Sequence, residues 1–491
     1  MKGSNIIYIL ADDMGYGDVG CYNPSSKITT PNMDRLAREG VRCTDAHSPS
    51  SVCTPSRYGI LTGRYCWRTP LKKGVLFNYE HPLIEPEQMT VASMLKQRGY
   101  DTACIGKWHL GLGWQVKDGL RVNFNEPLPW GALDPDPAVE NAIDFRKPIT
   151  GGPTELGFDW FFGTSGCSTA QPPYGFIEND RFLRPEVSYY ENPVYMARHG
   201  AMSPGWLHEE ADTIFTEKAV SYIASHTREK PDTQFFLYLA ASAPHEPCAE
   251  ETVPAFARNR SKAGPRGDLV WLFDWMVGQV TEAVEACGIA DETLIIVTSD
   301  NGALPGNAVM ERGEQIFQKH DHSSCGAWRG YKSHILEGGH RVPMIARWPG
   351  NIPPGTVCNE LMCLGDLMAT AADVAGATLP ENAGEDSYSM APALCGKQGS
   401  QPVREALIHH SLLGVFSIRK GDWKVVFDTK SSGGTIPPIG EEPIPGTPGQ
   451  VYNLAQDPRE DKDLWSERQD IVKEFTELFK RYLDSGRSVT R

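Results

Sequence analysis

The stretch Asn5-Ile6-Ile7-Tyr8-Ile9-Leu10-Ala11-Asp12-Asp13 opens this 491-residue chain with an apolar run that ends in two carboxylates. Such a run is typical of a central strand that is covered on both faces. Similar runs at 235–241 and 293–299 and a further predicted strand at 100–106 alternate with helical patterns at 31–40 and 90–99. The alternation predicts an α/β domain, a sheet flanked by helices on both faces.

Polar residues follow several of these predicted strands at the point where each strand ends. They include Asp12 and Asp13, Lys107 and His109, His245, and Asp300 and Asn301, with Lys332 in a later segment. Each has an ordinary explanation, since Asp-Asn-Gly is a common tight turn and a lone lysine is usually solvated. Their joint occurrence at strand ends, where α/β enzymes gather their chemistry, predicts an active site.

A second motif is Cys53-Thr54-Pro55-Ser56-Arg57, followed by Leu61-Thr62-Gly63-Arg64. A buried, inert thiol is the default interpretation of a single cysteine. Here Pro55 restricts the backbone, and the guanidinium of Arg57 can reach back over Cys53. Together with the strand-end residues, the motif resembles the type I sulfatases of the alkaline phosphatase superfamily over residues 5–465. In that family the cysteine is converted to formylglycine, whose hydrate is the nucleophile.

The resemblance is to the bacterial carbohydrate sulfatases, and it implies an alkaline phosphatase-like fold with a large mixed central sheet. It also implies a divalent metal, Ca²⁺ or else Mg²⁺, held by Asp12, Asp13, Asp300, Asn301 and the modified Cys53. Three carboxylates and an amide form an all-oxygen set that suits a hard cation.

The same resemblance implies roles for the other residues. Arg57 would stabilise the formylglycine hydrate, and Lys107 would bridge the hydrate and the sulfate. His245 and Lys332 would contact the sulfate, and one of them would protonate the leaving oxygen, which is worth about 10² to 10⁴-fold. His109 would remove a proton from the sulfated hydrate, which expels sulfate and restores the aldehyde.

The composition changes near residue 380, which predicts a catalytic domain over 1–380 and a smaller C-terminal subdomain over 381–491. A helical pattern at 361–376 is expected to close the first domain. The subdomain is predicted to be α+β. Antiparallel strands are expected at 406–410, 416–419 and 423–427, an exposed loop at 431–449 and an amphipathic terminal helix at 467–485.

The formal charge of −15 argues against nucleic acid and acidic membranes as partners. Attraction of a sulfated substrate must therefore come from a local cationic pocket. The 12 cysteines are scattered, which favours reduced thiols. The chain as written predicts a cytoplasmic protein, or a periplasmic or secreted one if a leader has been removed.

Three functions fit these patterns. The first is removal of sulfate from a carbohydrate. The segment from Pro172 to Asn179 resembles bacterial family members that act on sulfates of galactose or N-acetylgalactosamine type, and this resemblance implies the same sugar type here. The second is hydrolysis of phosphonate monoesters or phosphodiesters with the same formylglycine. The third is a catalytically silent calcium-binding protein. The presence of all the predicted catalytic residues argues against this third function. The first implies a sulfated saccharide as substrate and, as partner, a formylglycine-generating or anaerobic sulfatase-maturating enzyme.

Weaker candidates have two interpretations each. His320 and His322 flank Asp321 and fit either a polar loop or a substrate contact. Aromatic residues in predicted loops fit either stacking on sugars or packing, and two arginines fit either anion binding or a solvated surface; these are Trp114, Trp130, Trp206, Arg258 and Arg260.

Overall fold

The computed structural model describes the chain in segments, which are residues 3–122, 134–193, 198–304, 310–311, 314–315, 320–428 and 448–490. The strands are β1 (Asn5–Ala11), β2 (Val41–Cys43), β3 (Ala46–His47), β4 (Asp101–Lys107), β5 (Trp160–Thr164), β6 (Ile177–Glu178), β7 (Arg181–Phe182), β8 (Ser188–Tyr190), β9 (Gly200–Met202), β10 (Phe235–Ala240), β11 (Thr293–Ser299), β12 (Met310–Glu311), β13 (Glu314–Gln315), β14 (Met344–Arg347), β15 (Thr356–Cys358), β16 (Met362–Cys363), β17 (Leu407–His410), β18 (Phe416–Lys420), β19 (Trp423–Val426) and β20 (Gln450–Asn453).

The α-helices are α1 (Pro31–Glu39), α2 (Cys53–Thr62), α3 (Val91–Gln97), α4 (Pro137–Ala142), α5 (Ala211–Glu229), α6 (Gly264–Ala286), α7 (Glu337–His340), α8 (Leu367–Ala375), α9 (Ala391–Leu394) and α10 (Gln469–Asp484). Short 3-10 helices cover Cys66–Arg68, Pro153–Leu156, His208–Glu210, Glu250–Thr252, Ala255–Ala257, Ala290–Glu292 and Leu364–Asp366. Within the described segments, no helix is both long and apolar enough to cross a membrane.

The central sheet has ten strands among the described residues, in the order β15-β2-β14-β11-β1-β10-β4-β5-β6-β7. Strands β11, β1, β10, β4 and β5 run parallel, so their carboxyl ends lie at one edge. Strand β14 runs antiparallel to β11, and β6 runs antiparallel to β5. The prediction of a large mixed sheet is therefore confirmed.

Both faces of this sheet are buried, as alternate residues of β1 demonstrate. Ile6, Tyr8 and Leu10 pack in a core with helices α2, α3 and α8, whereas Ile7 and Ile9 pack in a second core with α1, α5 and α6. Successive side chains of a strand point to opposite faces, so a strand between two helical layers must be apolar throughout. This is why the run at 5–11 carries no alternating pattern.

The C-terminal part contains an antiparallel sheet in the order β17-β18-β19-β20, with the terminal helix α10 against it. The helix α10 is amphipathic as predicted, with Ile471, Phe475, Leu478 and Tyr482 buried. A tight turn at Gly421 and Asp422 joins β18 to β19, and Gly421 has a φ of 56°. The boundary at residue 380 stays a prediction.

The prediction of one helix over 361–376 is wrong in its first part. Residues Met362–Cys363 form β16, which pairs with β3, and a 3-10 turn precedes α8. Gly376 ends that helix as predicted, in the left-handed conformation with a φ of 62°. Most of the predicted exposed loop at 431–449 lies outside the described residues.

Candidate active site

Four neighbouring strands bring the predicted site residues to one edge of the sheet. Asp12 and Asp13 follow β1, Asp300 and Asn301 follow β11, Lys107 ends β4, and His245 lies beyond β10. These strands are adjacent in the order β11-β1-β10-β4, so their carboxyl ends meet. All six side chains are buried, and Lys107 is fully inaccessible.

Cys53 lies on the first turn of α2. Val52 is extended before the helix, and Cys53 is the first helical residue and 2% exposed. The positive end of the helix dipole therefore lies at this side chain, which favours a polarised or anionic oxygen there. Gly63 ends the helix in the left-handed conformation, and its N–H donates to the carbonyl of Gly59 at 2.9 Å. The second motif, Leu61 to Arg64, is thus the end of the helix that Cys53 begins.

Arg57 is one helical turn after Cys53, and its guanidinium is fully buried. It donates to Asp300 Oδ2 from Nη2 at 2.9 Å and from Nε at 3.1 Å, and it donates from Nη1 to the carbonyl of Lys107. Asp12 Oδ1 lies 3.5 Å from Arg57 Nη2. Arg57 therefore links the ends of β11, β1 and β4.

Two lysines pair with the carboxylates that follow β1. Lys107 Nζ lies 2.5 Å from Asp12 Oδ2, and Lys332 Nζ lies 2.7 Å from Asp13 Oδ2. Lys332 reaches the site from the segment before α7, although its sequence position is remote from the sheet strands. With Arg57 on Asp300, each of the three carboxylates thus has a cationic partner, and Asp12 is also close to Arg57.

His245 lies beside Lys332. Its Nδ1 is 2.7 Å from the carbonyl oxygen of Glu246, which accepts a hydrogen bond and so fixes the proton on Nδ1. Its Nε2 is 3.1 Å from Lys332 Nζ and 3.7 Å from Asp13 Oδ2. The two groups expected to contact the sulfate are therefore in direct contact with each other.

His109 has a defined tautomer with a free nitrogen. Its Nε2 lies 2.8 Å from the carbonyl oxygen of Leu76, so Nε2 carries the proton and Nδ1 the lone pair. Nδ1 is buried without a hydrogen-bond partner among the described residues. Burial and the charges of Lys107 and Arg57 hold the pKa of His109 well below its usual range. The ring is therefore neutral, as a base must be.

The backbone next to these groups adopts rare conformations at two positions. Asp13 has a φ of 70° and His109 has a φ of 58°. Left-handed backbone at residues other than glycine costs about 1 to 3 kcal/mol and clusters at functional sites. The hydroxyl of Thr54 donates to the carbonyl of His109 at 3.0 Å, which ties His109 to the residue next to Cys53.

The oxygen atoms of the site fit a hard divalent cation. Carboxylate oxygens of Asp12 and Asp13, the sulfur of Cys53 and a ring nitrogen of His245 lie within 4.8 Å of one another. Asp300, the third predicted carboxylate ligand, is not in this group, and its Oδ2 accepts from Arg57. Asn301 Nδ2 donates to Asp13 Oδ1 at 2.6 Å. Asn301 Oδ1 and Asp12 Oδ1 are buried without a hydrogen-bond donor among the described residues. Buried oxygens normally have a donor or a cation, so these two are suitable ligands.

The electrostatics of the site follow from its burial. Burial opposes ionisation of Asp12, but Lys107 and His245 lower its pKa well below the usual range. Burial and the charge of Asp12 raise the pKa of Asp300 to about 7. Burial also raises the pKa of the Cys53 thiol, although Lys107 opposes this rise. An unmodified Cys53 is therefore a neutral thiol, and a poor nucleophile.

Sequence reasoning missed Cys167, which is fully buried in the site. Its Sγ lies 3.2 Å from the hydroxyl oxygen of Thr169, and the nearby charges of His245 and Lys107 lower the pKa of the thiol although burial opposes this. It also missed Asp212, whose Oδ1 accepts a hydrogen bond from the backbone N–H of Ser242 at 2.8 Å and so supports the loop of His245. No sequence motif marks either residue.

The weaker candidates are mostly structural. His322 is buried with Nε2 at 2.8 Å from Asp18 Oδ1, which also pairs with Arg266. Trp114 and Trp206 are buried. Arg258 and Arg260 each donate from Nε to a nearby backbone carbonyl at 2.9 Å. Trp130 lies outside the described residues.

A group of three fully buried histidines lies away from this site, between the two sheets. His47 Nδ1 is 3.0 Å from His340 Nδ1, and the rings of His340 and His409 stack at 3.7 Å and 16°. Stacked rings direct their lone pairs nearly parallel, whereas one metal ion needs converging ligands. Lys424 Nζ also lies 3.2 Å from His340 Nε2. We interpret this group as a polar packing network.

Comparison with known proteins identifies the class. The sulfatase family profile matches residues 4–377. The chain belongs to the sulfatase family and is a sulfuric ester hydrolase. Its fold is the one expected of this family.

Individual relatives match over nearly the whole chain. An N-acetylgalactosamine-6-O-sulfatase from Bacteroides thetaiotaomicron is 32% identical over 514 residues, which cover 96% of this chain and 92% of that protein. Arylsulfatase A from Homo sapiens is 35% identical over 475 residues, which cover 94% and 83%. A solved structure from work on glycosaminoglycan metabolism by Bacteroides thetaiotaomicron superposes with a TM-score of 0.82 at 28% identity, covering 98% of this chain and 99% of that one.

Proposed function

We propose that this sulfatase removes sulfate from a carbohydrate of N-acetylgalactosamine or galactose type, with formylglycine at position 53 as nucleophile. The observation that carries this proposal is the set of three buried cations around one helix N-terminus, Arg57, Lys107 and Lys332. The similarity to a bacterial N-acetylgalactosamine-6-O-sulfatase over 96% of the chain supports the sugar class. The partner in maturation would be a formylglycine-generating or anaerobic sulfatase-maturating enzyme.

Asp12, Asp13, Asp300 and Asn301, with the modified residue 53, would hold a divalent cation, which we take to be calcium. When bound, the cation supplies Lewis-acid stabilisation of negative charge on oxygen. The two buried oxygens without donors, on Asp12 and Asn301, support this ligand set. Magnesium accepts similar ligands but demands a stricter octahedral geometry.

The other side chains of the site would orient the reacting groups and transfer protons. Arg57 and Lys107 would orient the hydrate of residue 53, because they lie between β4, β11 and α2. Lys332 and His245 touch each other and would share the sulfate and the proton for the leaving oxygen. His109, neutral with a free Nδ1, would act as the base that releases sulfate. Each role uses a proton or a charge that the geometry supports.

Two measurements test this proposal together. Peptide mass spectrometry of active protein should find the aldehyde at position 53, and the purified protein should desulfate N-acetylgalactosamine 6-sulfate or a galactose sulfate. Cys53→Ala, which no maturase can modify, should fold normally and lose activity. Full activity with an unmodified thiol at Cys53 would exclude the mechanism, and activity only towards non-carbohydrate esters would exclude the substrate class.

A further inference from the structure

Lys332 lies at the centre of a tight turn that precedes α7. The N–H of His334 donates to the carbonyl of Tyr331 at 2.9 Å, so Lys332 and Ser333 are the two central residues of this turn. Ser333 has a φ of 79°. The third residue of a type II turn has a φ of about +80°, and glycine or asparagine is the usual residue there. The turn therefore holds a serine in a backbone conformation that serine rarely adopts.

Hydrogen bonds from two other parts of the chain hold this conformation. The N–H of Ser333 donates to the carbonyl of Ser51 at 2.8 Å, and the carbonyl of Ser333 accepts from the N–H of Leu412 at 3.2 Å. Ser51 lies two residues before Cys53, and Leu412 lies two residues after the end of β17. Left-handed backbone at a residue other than glycine persists only where its surroundings hold it, and it clusters at functional sites.

The segment before Cys53 is itself bonded to the C-terminal sheet. The N–H of Ser51 and the hydroxyl of Ser50 both donate to the carbonyl of His410, each at 3.1 Å. The segment 50–51, residue 333 and the segment 410–412 are therefore each bonded to the other two. This closed set of hydrogen bonds fixes the turn relative to Cys53.

The turn determines where the side chain of Lys332 begins. The N–H of Lys332 donates to the carbonyl of Ala303 at 2.7 Å. The ammonium of Lys332 lies 2.7 Å from Asp13 Oδ2 and 3.1 Å from His245 Nε2. A lysine side chain is a flexible four-carbon stem, so these two contacts depend on a fixed backbone. A change of φ at Ser333 would alter the turn and shift this ammonium.

We propose that Ser333 is a positioning residue of the active site: its left-handed backbone, held on both sides, fixes the ammonium of Lys332. This inference rests on the role in sulfate binding proposed above for Lys332. Charged groups that are fixed before the substrate binds need no reorganisation during the reaction. A displacement of about 1 Å can lower the rate about 100-fold. Ser333 acts through Lys332 and not through a substrate contact of its own.

Substitutions at Ser333 test its conformation, because the hydrogen bonds described above belong to its backbone. Glycine adopts a positive φ freely, whereas a β-branched residue strongly disfavours it. On N-acetylgalactosamine 6-sulfate, Ser333→Gly should keep kcat/KM within about twofold of wild type, and Ser333→Val should lower it at least about tenfold. Each rate is divided by the aldehyde content of residue 53, measured by peptide mass spectrometry. Ser333→Thr, also β-branched, replaces Ser333→Val if that variant fails to fold.

A double-mutant cycle measures whether the effect passes through Lys332. Lys332→Ala should itself lower kcat/KM at least about tenfold, and adding Ser333→Val to it should cost less than about twofold more. Asn259→Val is the matched control, because Asn259 has a φ of 59° and lies in the loop before α6. Asn259→Val should lower the melting temperature, as Ser333→Val does, and keep kcat/KM within about twofold of wild type.

The outcomes separate this inference from the proposed function. Wild-type enzyme that does not desulfate the sugar, or a Lys332→Ala variant with wild-type activity, would overturn the corresponding part of the proposed function and this inference with it. If Lys332→Ala is impaired, three results would overturn the inference alone. These are Ser333→Val as active as Asn259→Val, Ser333→Gly as impaired as Ser333→Val, or additive losses in the double variant.

Discussion

Replacement of Lys424 by methionine should destabilise the protein strongly, because Lys424 neutralises two buried carboxylates between the sheets. Its Nζ lies 2.8 Å from Glu460 Oε1 and 3.2 Å from Glu337 Oε1, and all three side chains are fully buried. Removing one partner from a buried ion pair costs about 3 to 5 kcal/mol. Glu337 keeps Arg341 at 2.9 Å, so most of the cost falls on Glu460.

The pH dependence of this cost has a defined sign. Burial already raises the pKa of Glu460 although Lys424 opposes the rise. Without the lysine this pKa rises further, and a carboxyl whose folded pKa is raised loses stability as pH increases above its unfolded value. The destabilisation of Lys424→Met should therefore be largest at pH 8 and smaller at pH 5.

Urea denaturation followed by tryptophan fluorescence measures the free energy of unfolding at both pH values. Lys420→Met is the matched control, because Lys420 is partly exposed and its pairs with Glu474 and Glu405 are surface ion pairs, each worth less than about 1 kcal/mol. Adding Glu460→Gln to Lys424→Met should recover much of the loss. Equal costs for the two lysine variants, or a cost that does not change with pH, would refute the reasoning.

The remaining predictions concern the site. Chelation of divalent metal should lower both activity and melting temperature, and an unchanged melting temperature would contradict the metal site. Asp300→Ala should abolish that response, from a lower starting melting temperature because the buried Arg57 loses its partner. His109→Ala should give one burst of product per enzyme and a sulfate adduct on the peptide of residue 53, and steady turnover without a burst would contradict its role. If His245 or Lys332 is the general acid, its replacement by alanine should lower turnover of sugar sulfates at least tenfold more than turnover of nitrophenyl sulfate, because nitrophenolate leaves without a proton. Equal losses on both substrates would show that neither residue is the general acid.

The parts of the fold that sequence could predict are those that depend on local pattern. The bounds of β1 and β11 match the apolar runs, and Thr90 caps α3 as its position before the helical pattern predicts. The strand β16 within 361–376 could not be predicted, because it exists only through pairing with β3 far away in sequence. Short strands of two or three residues have too little pattern to be recognised.

The candidate site also has parts that the sequence could predict and parts that it could not. The residue types at strand ends predicted which side chains meet, and the sheet order β11-β1-β10-β4 confirms that these strand ends are adjacent. Sequence did not predict that Lys332 pairs with Asp13 while Arg57 pairs with Asp300, since such pairs depend on the three-dimensional placement of separate loops. The influence of His245 on the buried Cys167 was missed for the same reason.

Under the function proposed above, the pairing would hold the site cations in position for a sulfate ester. A net charge of −15 repels an anion at long range, but ionic strength screens surface charge beyond about 8 Å. Inside the site the cations of Arg57, Lys107 and Lys332 are buried, so water screens them little. Each is held by a carboxylate, and an ammonium has three donor hydrogens, so donors remain for sulfate oxygens. The carboxylates thus fix the cations in place before substrate binds, and this preorganisation is the main source of electrostatic stabilisation in enzymes.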